Sequence, residues 1–169
     1  AQAEAGAAML LRFMRLMRHL QTAPWSCVPF APNQDIMNRL IASHIKLITG
    51  LDAVHPKLYS LIDSATATHL ATSQNLIWIT NRQQGKTTTL GRFIAAISLA
   101  AQLPGGVLAC VYSTKLERAA ELLKAGKDYL WWLKSPKGAH PEWKNIEFVR
   151  DNANMFEVRC NNSVQSQQV

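Results

Sequence analysis

The chain has 169 residues, of which 48% are hydrophobic and 17% are charged. This composition is typical of a folded globular protein and excludes a disordered chain, and no apolar run approaches the roughly 20 residues that a membrane-spanning helix needs. The formal net charge is +7, and residues 76–169 carry 12 Lys and Arg against 7 Asp and Glu, so the basic excess favours a polyanionic partner such as nucleic acid.

The N-terminal part of the chain, residues 1–74, is predicted to be helical. Within 9–20, apolar side chains recur at the spacing of one helical face: Leu10, Phe13, Met14 and Met17. This stretch is Arg-rich and free of acids, as mitochondrial targeting sequences are, but we favour a helix that packs on the domain. A proline-rich connector at 23–33 follows, and further helices are predicted over 35–49 and 56–70.

The pattern changes at residue 75. The apolar runs NLIWIT (75–80) and GVLACVYS (106–113) are typical of strands that are buried on both faces of a parallel sheet. Helices are predicted over 87–102 and 114–133, the second with Thr114 as its cap. The last two elements, NIEFVR and MFEVRC, are joined by DNAN and predict an antiparallel hairpin. The order predicts an α/β fold, a parallel sheet flanked by helices.

A candidate phosphate-binding loop lies between the first of these strands and its helix. It reads NRQQGKT (81–87) and ends in Gly-Lys-Thr, but Thr80 stands where the usual pattern has its first glycine. Gly85 allows the backbone to approach phosphates closely, and Lys86 is long enough to reach the β- and γ-phosphates. Thr87 offers a hydroxyl to Mg²⁺. The strand before the loop and the helix after it are the context that this chemistry requires.

Arg82 adds a guanidinium inside this loop, near the position where charge develops in phosphoryl transfer. With that arginine and without the first glycine, NRQQGKT resembles the Walker A loop of viral and phage large terminase subunits, the ATPases that package DNA. The hairpin sequence NIEFVRDNANMFEVRCNNS resembles the hairpin that precedes the Walker B strand in that family. The resemblance covers about residues 75–165, and its spacing is most similar to that of herpesvirus-like packaging ATPases.

The resemblance implies a P-loop NTPase core that binds ATP and Mg²⁺. The nucleotide would be bound by the loop and the start of the following helix: Asn81, Arg82, Gln83, Gln84, Gly85, Lys86, Thr87 and Thr88. Arg82 and Lys86 would stabilise the transferring γ-phosphoryl group, and the Thr87 hydroxyl would bind the metal. Gln34 is a candidate for the glutamine that reads the adenine in this family.

The resemblance also implies partners: double-stranded DNA, a portal protein, a small terminase subunit and further copies of the chain in a homo-oligomer, with no membrane. The compartment would be the host nucleus for a eukaryotic virus and the host cytoplasm for a phage. After the loop, no apolar run ends in the acidic pair of a Walker B motif. We therefore expect residues 75–169 to be the N-terminal part of an ATPase domain, incomplete at its C-terminus, and whether this piece hydrolyses ATP stays open.

Two alternatives stay open. One is a helicase-like or remodelling P-loop ATPase, and the other is a non-catalytic nucleotide- or DNA-binding module whose Gly-Lys-Thr is vestigial. Trp131, Trp132 and Trp143 lie near three lysines in the sequence, which allows base stacking, but we favour packing of the indoles at the edge of the domain.

Overall fold

The computed structural model describes residues 2–26, 77, 79, 85–100 and 107–160. Its elements, in chain order, are helix α1 (Gln2–Gln21), a 3₁₀ turn (Pro24–Ser26), helix α2 (Lys86–Ala100), helix α3 (Leu116–Lys134) and strands β1 (Ile146–Asp151) and β2 (Phe156–Cys160). The helices predicted over 35–49 and 56–70 lie outside the described residues.

Helix α2 is the central element of the described structure, because α1 packs on it from one side and α3 from another. Apart from Arg92, the sequence of α2 after its first turn is composed of small and apolar residues, and buried residues lie on every face of the helix. Helices α1 and α3 supply large side chains of the core. These are Phe13, Leu16 and Leu20 from α1 and Leu130 and Leu133 from α3.

The predicted helices are confirmed in the described part of the chain. The apolar face predicted for 9–20 is buried at Phe13, Met14 and Met17. The helix predicted over 114–133 begins two residues later than expected, and Thr114 does not cap it. Lys115 is the N-cap residue there and makes no side-chain capping hydrogen bond, so Glu117 is the favourable acidic group of the first turn.

The predicted hairpin is also confirmed. Strands β1 and β2 pair antiparallel, with Ile146 opposite Cys160 and Asp151 opposite Phe156, and a bulge interrupts the register between Phe148 and Arg150. Asn152 closes the turn, since its side-chain oxygen accepts hydrogen bonds from the backbone N–H groups of Asn154 at 3.0 Å and Met155 at 2.9 Å.

The predicted fold class is wrong. The described residues contain three α-helices and one two-stranded antiparallel sheet, and no parallel sheet of a P-loop NTPase core. Residues 107–113, which were expected to form a buried parallel strand, form no strand, and Leu108 is 88% exposed there. Ile77 and Ile79 belong to the other expected strand and are exposed and not in a strand.

The physical reason is that an apolar run does not make a strand by itself. A buried parallel strand needs a partner on each side to satisfy its backbone N–H and C=O groups. In the described structure Leu108 and Ile77 belong to no strand, and no packed layer covers their exposed side chains. In the part of the chain that the structure describes, no helix is both long and apolar enough to cross a membrane.

Candidate functional site

The candidate phosphate-binding turn is formed by Gly85 and the first residues of α2. Gly85 immediately precedes the helix and has a φ of 74°, in the left-handed region that favours glycine. Its carbonyl oxygen accepts the backbone N–H of Thr89 at 2.9 Å, which closes the first helical turn. This conformation is the local reason for a glycine at position 85, because a Cβ atom would strain it.

The first turn of α2 concentrates positive charge. Lys86 is its first residue, and the turn contains no acidic side chain. The first N–H groups of a helix have no carbonyl partner within it, and the helix dipole places a partial positive charge at the same end. This arrangement is suited to bind a phosphate group.

The three threonines of the turn differ in accessibility. Thr87 is exposed, Thr88 is half-buried and Thr89 is fully buried. An exposed hydroxyl on Thr87 is free to approach a hydrated cation, and a hydroxyl oxygen is the kind of ligand that Mg²⁺ accepts. Within the described ranges, however, no three His, Cys, Asp or Glu side chains come together in a way that could hold a metal ion. The protein ligand available to Mg²⁺ in this turn is thus the Thr87 hydroxyl.

Arg92 lies in α2 beside Thr89 and was not among the site residues predicted from the sequence. It is only 1% exposed, and its Nη2 donates a hydrogen bond to the Thr89 hydroxyl at 3.3 Å. Burial lowers the pKa of Arg92, while the nearby Tyr129 raises it. Because a guanidinium keeps its proton in proteins, Arg92 adds a fixed positive charge in the middle of α2, hydrogen-bonded to Thr89. A lone arginine inside the apolar run LGRFIAAISLA was the sequence signal for it.

Tyr129 of α3 links this region to the N-terminal part of the chain. Its hydroxyl donates a hydrogen bond to Ser26 Oγ at 2.9 Å, and both residues are buried. Burial raises the pKa of Tyr129 above its usual 10.0. The neutral hydroxyl is therefore the stable form, and it holds the 3₁₀ turn against α3.

The structure brings together four of the predicted site residues, Gly85, Lys86, Thr87 and Thr88, in one helical turn. The other predicted residues lie outside the described residues: Gln34, Asn81, Arg82, Gln83 and Gln84. Of the tryptophans, Trp143 is 2% exposed and belongs to the core, whereas Trp131 is 46% exposed. Trp143 thus packs in the core, while Trp131 stacks on Phe148 at the surface, with ring centroids 4.4 Å apart.

A second cluster of titratable groups lies between α1 and the loop after α3. His19 Nε2 lies 2.7 Å from the carbonyl oxygen of Gly138, and its ring centroid is 4.8 Å from that of His140. His140 Nδ1 accepts the backbone N–H of Glu142 at 3.1 Å, and Arg15 forms an ion pair with Glu142 at 3.1 Å. Burial lowers the pKa of His140, and the neighbouring His19 and Arg15 lower it further while Glu142 raises it. The contacts join α1 to the loop and require a neutral His140.

Comparison with known proteins adds no relative. No family model matches the chain, and no curated protein or solved structure is similar to it at a significant level. The residues of the turn formed by Gly85 and the start of α2 are therefore the basis for the proposed function.

Proposed function

We propose that the turn from Gly85 to Thr88 binds the phosphates of ATP, and that the chain is the ATP-binding part of a viral genome-packaging motor. The observation that supports phosphate binding is the left-handed Gly85 directly before a helix whose first residue is Lys86. The proposal depends on this turn and not on a parallel sheet, which the described residues do not form.

In this proposal each residue of the turn has a separate task. The backbone N–H groups at the start of α2 donate to phosphate oxygens, and Gly85 keeps the approach open. Lys86 contributes a mobile ammonium, and the buried Arg92 raises the local positive potential without reaching solvent. Thr87 and Thr88 follow in the same turn, and the Thr87 hydroxyl orients Mg²⁺. Bound ATP supplies the γ-phosphoryl group whose transfer to water provides the free energy for DNA movement.

The loop residues before Gly85 complete the proposal by resemblance to terminases. Asn81, Gln83 and Gln84 would add backbone donors, and Arg82 would stabilise the γ-phosphoryl group together with Lys86. Gln34 would read the adenine. The same resemblance is the basis for double-stranded DNA, a portal protein, a small terminase subunit and a homo-oligomer as partners, in the host nucleus or, for a phage, the host cytoplasm.

Nucleotide titration of matched lysine variants tests phosphate binding. Lys86 and Lys115 both lie at the start of a helix, but the residue before Lys86 is a left-handed glycine, whereas Lys115 is an exposed N-cap in an extended conformation. Loss of a charge-assisted hydrogen bond costs about 1.5–3 kcal/mol, so we expect Lys86→Ala to weaken ATP binding about 10- to 100-fold. Lys115→Ala should leave the affinity unchanged. Equal effects of the two variants would exclude a specific phosphate site in this turn.

Two further measurements separate the motor from a simple binding module. Thr87→Val should reduce the gain in ATP affinity that Mg²⁺ provides and leave metal-free binding intact. In a longer version of the protein that carries the acidic pair of a Walker B motif, Arg82→Ala should lower the rate of ATP hydrolysis more than ATP affinity, because its proposed contact strengthens as charge develops on the γ-phosphoryl group. If that longer version binds ATP but hydrolyses none, with or without DNA, the non-catalytic module is supported instead.

A further inference from the structure

A surface hollow lies between the end of α3 and the start of β1, and the ATP proposal does not use it. The hollow has a volume of about 610 Å³, a size typical of sites that bind small molecules. Its lining comes from the last residues of α3, from the loop that follows and from the first residue of β1. None of the lining residues belongs to α2, so the hollow is separate from the candidate phosphate-binding turn.

The hydrophobic core forms the apolar wall of this hollow. Leu133, Trp143 and Ile146 line it and are only 1%, 2% and 4% exposed, so close packing holds them in place. A fully hydrated ion gains little from a wall of this kind. A ligand with an apolar body gains more, because it removes apolar surface from water.

The neutral polar side chains that line the hollow can donate hydrogen bonds. His140 Nδ1 accepts the backbone N–H of Glu142 at 3.1 Å, so a neutral ring carries its proton on Nε2. Burial lowers the pKa of His140, which favours that neutral ring. The buried Nε1–H of Trp143 has no acceptor among the described residues, and the exposed amide of Asn145 adds a further donor. This set of groups fits a ligand that accepts hydrogen bonds.

Two lysines give the hollow a positive charge that no acid of its lining balances. Lys134 and Lys144 line it, and both are exposed. Lys134 Nζ lies 5.2 Å from the centroid of the Trp131 ring, a contact that leaves its charge in place. Lys144 forms no ion pair with an acid of the described ranges, and Glu142, two residues before it, pairs with Arg15 at 3.1 Å. The ammonium of Lys144 is therefore available to an anion.

We propose that this hollow binds a small organic oxyanion, a carboxylate or a phosphate ester that is carried on an apolar body. The oxyanion would contact Lys144 and the donors of His140 and Asn145, while the body would lie against Leu133 and Ile146. A DNA duplex is less suited to this place, because its backbone is a row of phosphates that cannot fill a concave apolar wall. The site is independent of ATP binding at the start of α2.

An NMR titration followed by the indole N–H signals tests the proposal. The probes are phenyl phosphate and hydrocinnamate, with hydrocinnamyl alcohol as the neutral analogue and inorganic phosphate as the head group without a body. We expect a saturable shift of the Trp143 signal with at least one organic anion, and roughly fivefold or weaker binding of the alcohol and of inorganic phosphate. The organic anion that binds more tightly identifies the head group. Trp25 does not line the hollow, so its signal is the internal control and should not shift.

Matched variants show whether the anion binds in this hollow. Lys144→Gln should weaken binding of the organic anion about fivefold, whereas Lys137→Gln changes an exposed lysine outside the lining and should leave it unaltered. Asn145 has a φ of 58°, so Asn145→Gly preserves the backbone and should weaken binding about twofold by removing the amide. Lys86→Ala should bind the organic anion as the parent chain does, whatever its effect on ATP. Equal losses in the two lysine variants at 144 and 137, equal binding of the alcohol, or tighter binding of a short DNA duplex at the Trp143 signal would each overturn the proposal.

Discussion

Helices α2 and α3 cross so closely at Gly91 and Gly126 that a single added methyl group is a sensitive probe of the packing. A Cβ atom on Gly91 would lie 2.9 Å from the Cβ of Ala125 and 3.3 Å from its carbonyl carbon. Both atoms belong to or adjoin the α3 backbone, which cannot rotate away as the end of a long side chain can. The Gly91→Ala variant must therefore push the two helices apart.

The magnitude follows from two opposing terms. Alanine favours a helix over glycine by about 1 kcal/mol, whereas overpacking a tight core contact costs about 1–3 kcal/mol and the separation also loosens neighbouring contacts. We expect the contact term to exceed the propensity term, with a net destabilisation of about 1–2 kcal/mol. For a chain of this size that lowers the melting temperature by about 2–8 °C.

The same contacts predict a ranking and a rescue. A Cβ on Gly126 would lie 3.0 Å from Cγ2 of Ile94, a side-chain methyl group that can shift slightly, so Gly126→Ala should cost less than Gly91→Ala. Removing the opposing methyl group in the double variant Gly91→Ala, Ala125→Gly should recover stability relative to the sum of the single changes, with a coupling of about 1 kcal/mol.

The stability of the parent chain and of the four variants (Gly91→Ala, Gly126→Ala, Ala125→Gly and the double variant) is measured by thermal and urea unfolding, followed by far-UV circular dichroism. Ala125→Gly alone is the reference for the loss of helix propensity, about 1 kcal/mol. A Gly91→Ala protein as stable as the parent chain, or strictly additive effects in the double variant, would show that the two helices do not approach each other as described.

Three further predictions concern polar contacts of the core and hairpin. Tyr129→Phe keeps the ring but leaves the buried Ser26 hydroxyl without its donor, so it should cost about 1–2 kcal/mol in thermal unfolding, and an unchanged melting temperature would contradict the role of this bond. Burial lowers the folded-state pKa of His140 below 6.5, so its contribution to stability is complete above pH 6.5 and is lost as the pH falls through that lowered value. Between pH 7.5 and pH 5, His140→Gln should therefore lose less unfolding free energy than the parent chain. Parallel stability curves for the two proteins would refute the assignment. Lys127 Nζ lies 2.8 Å from Asp151 Oδ1, and Lys127→Met keeps the aliphatic stem but removes this ion pair. We expect the protection of the hairpin amides against hydrogen exchange to fall by about 1 kcal/mol. Unaltered protection would exclude the ion pair as a contact that holds the hairpin on α3.

Local features were predictable because they depend on short-range rules. The apolar spacing in 9–20 and the turn residues between β1 and β2 were sufficient for a helix and a hairpin, and both are present. The Gly85-Lys86-Thr87 ending predicted a helix N-terminus with a glycine before it, and the left-handed Gly85 agrees with that expectation. Whether this turn binds ATP stays a prediction.

Long-range features were not predictable in the same way. The apolar runs around Ile77 and Leu108 have the composition of buried strands, yet burial depends on partners that lie elsewhere in the chain. The buried position of Arg92 and the exposure of Trp131 depend equally on which elements pack around them. In both cases the residue type suggested the opposite environment.

The sequence by itself determined where the described helices and the hairpin form, and the basic character of the chain. These properties follow from the spacing of neighbouring residues and from their charge, which need no knowledge of distant contacts. Only the tertiary structure decided that residues 107–113 form no parallel strand, that Gly91 faces Ala125 across a tight helix crossing, and that Trp25 joins Trp131 beside Asp128. Each of these requires residues far apart in the chain to meet, and that meeting is set by how whole elements pack and satisfy their backbone groups.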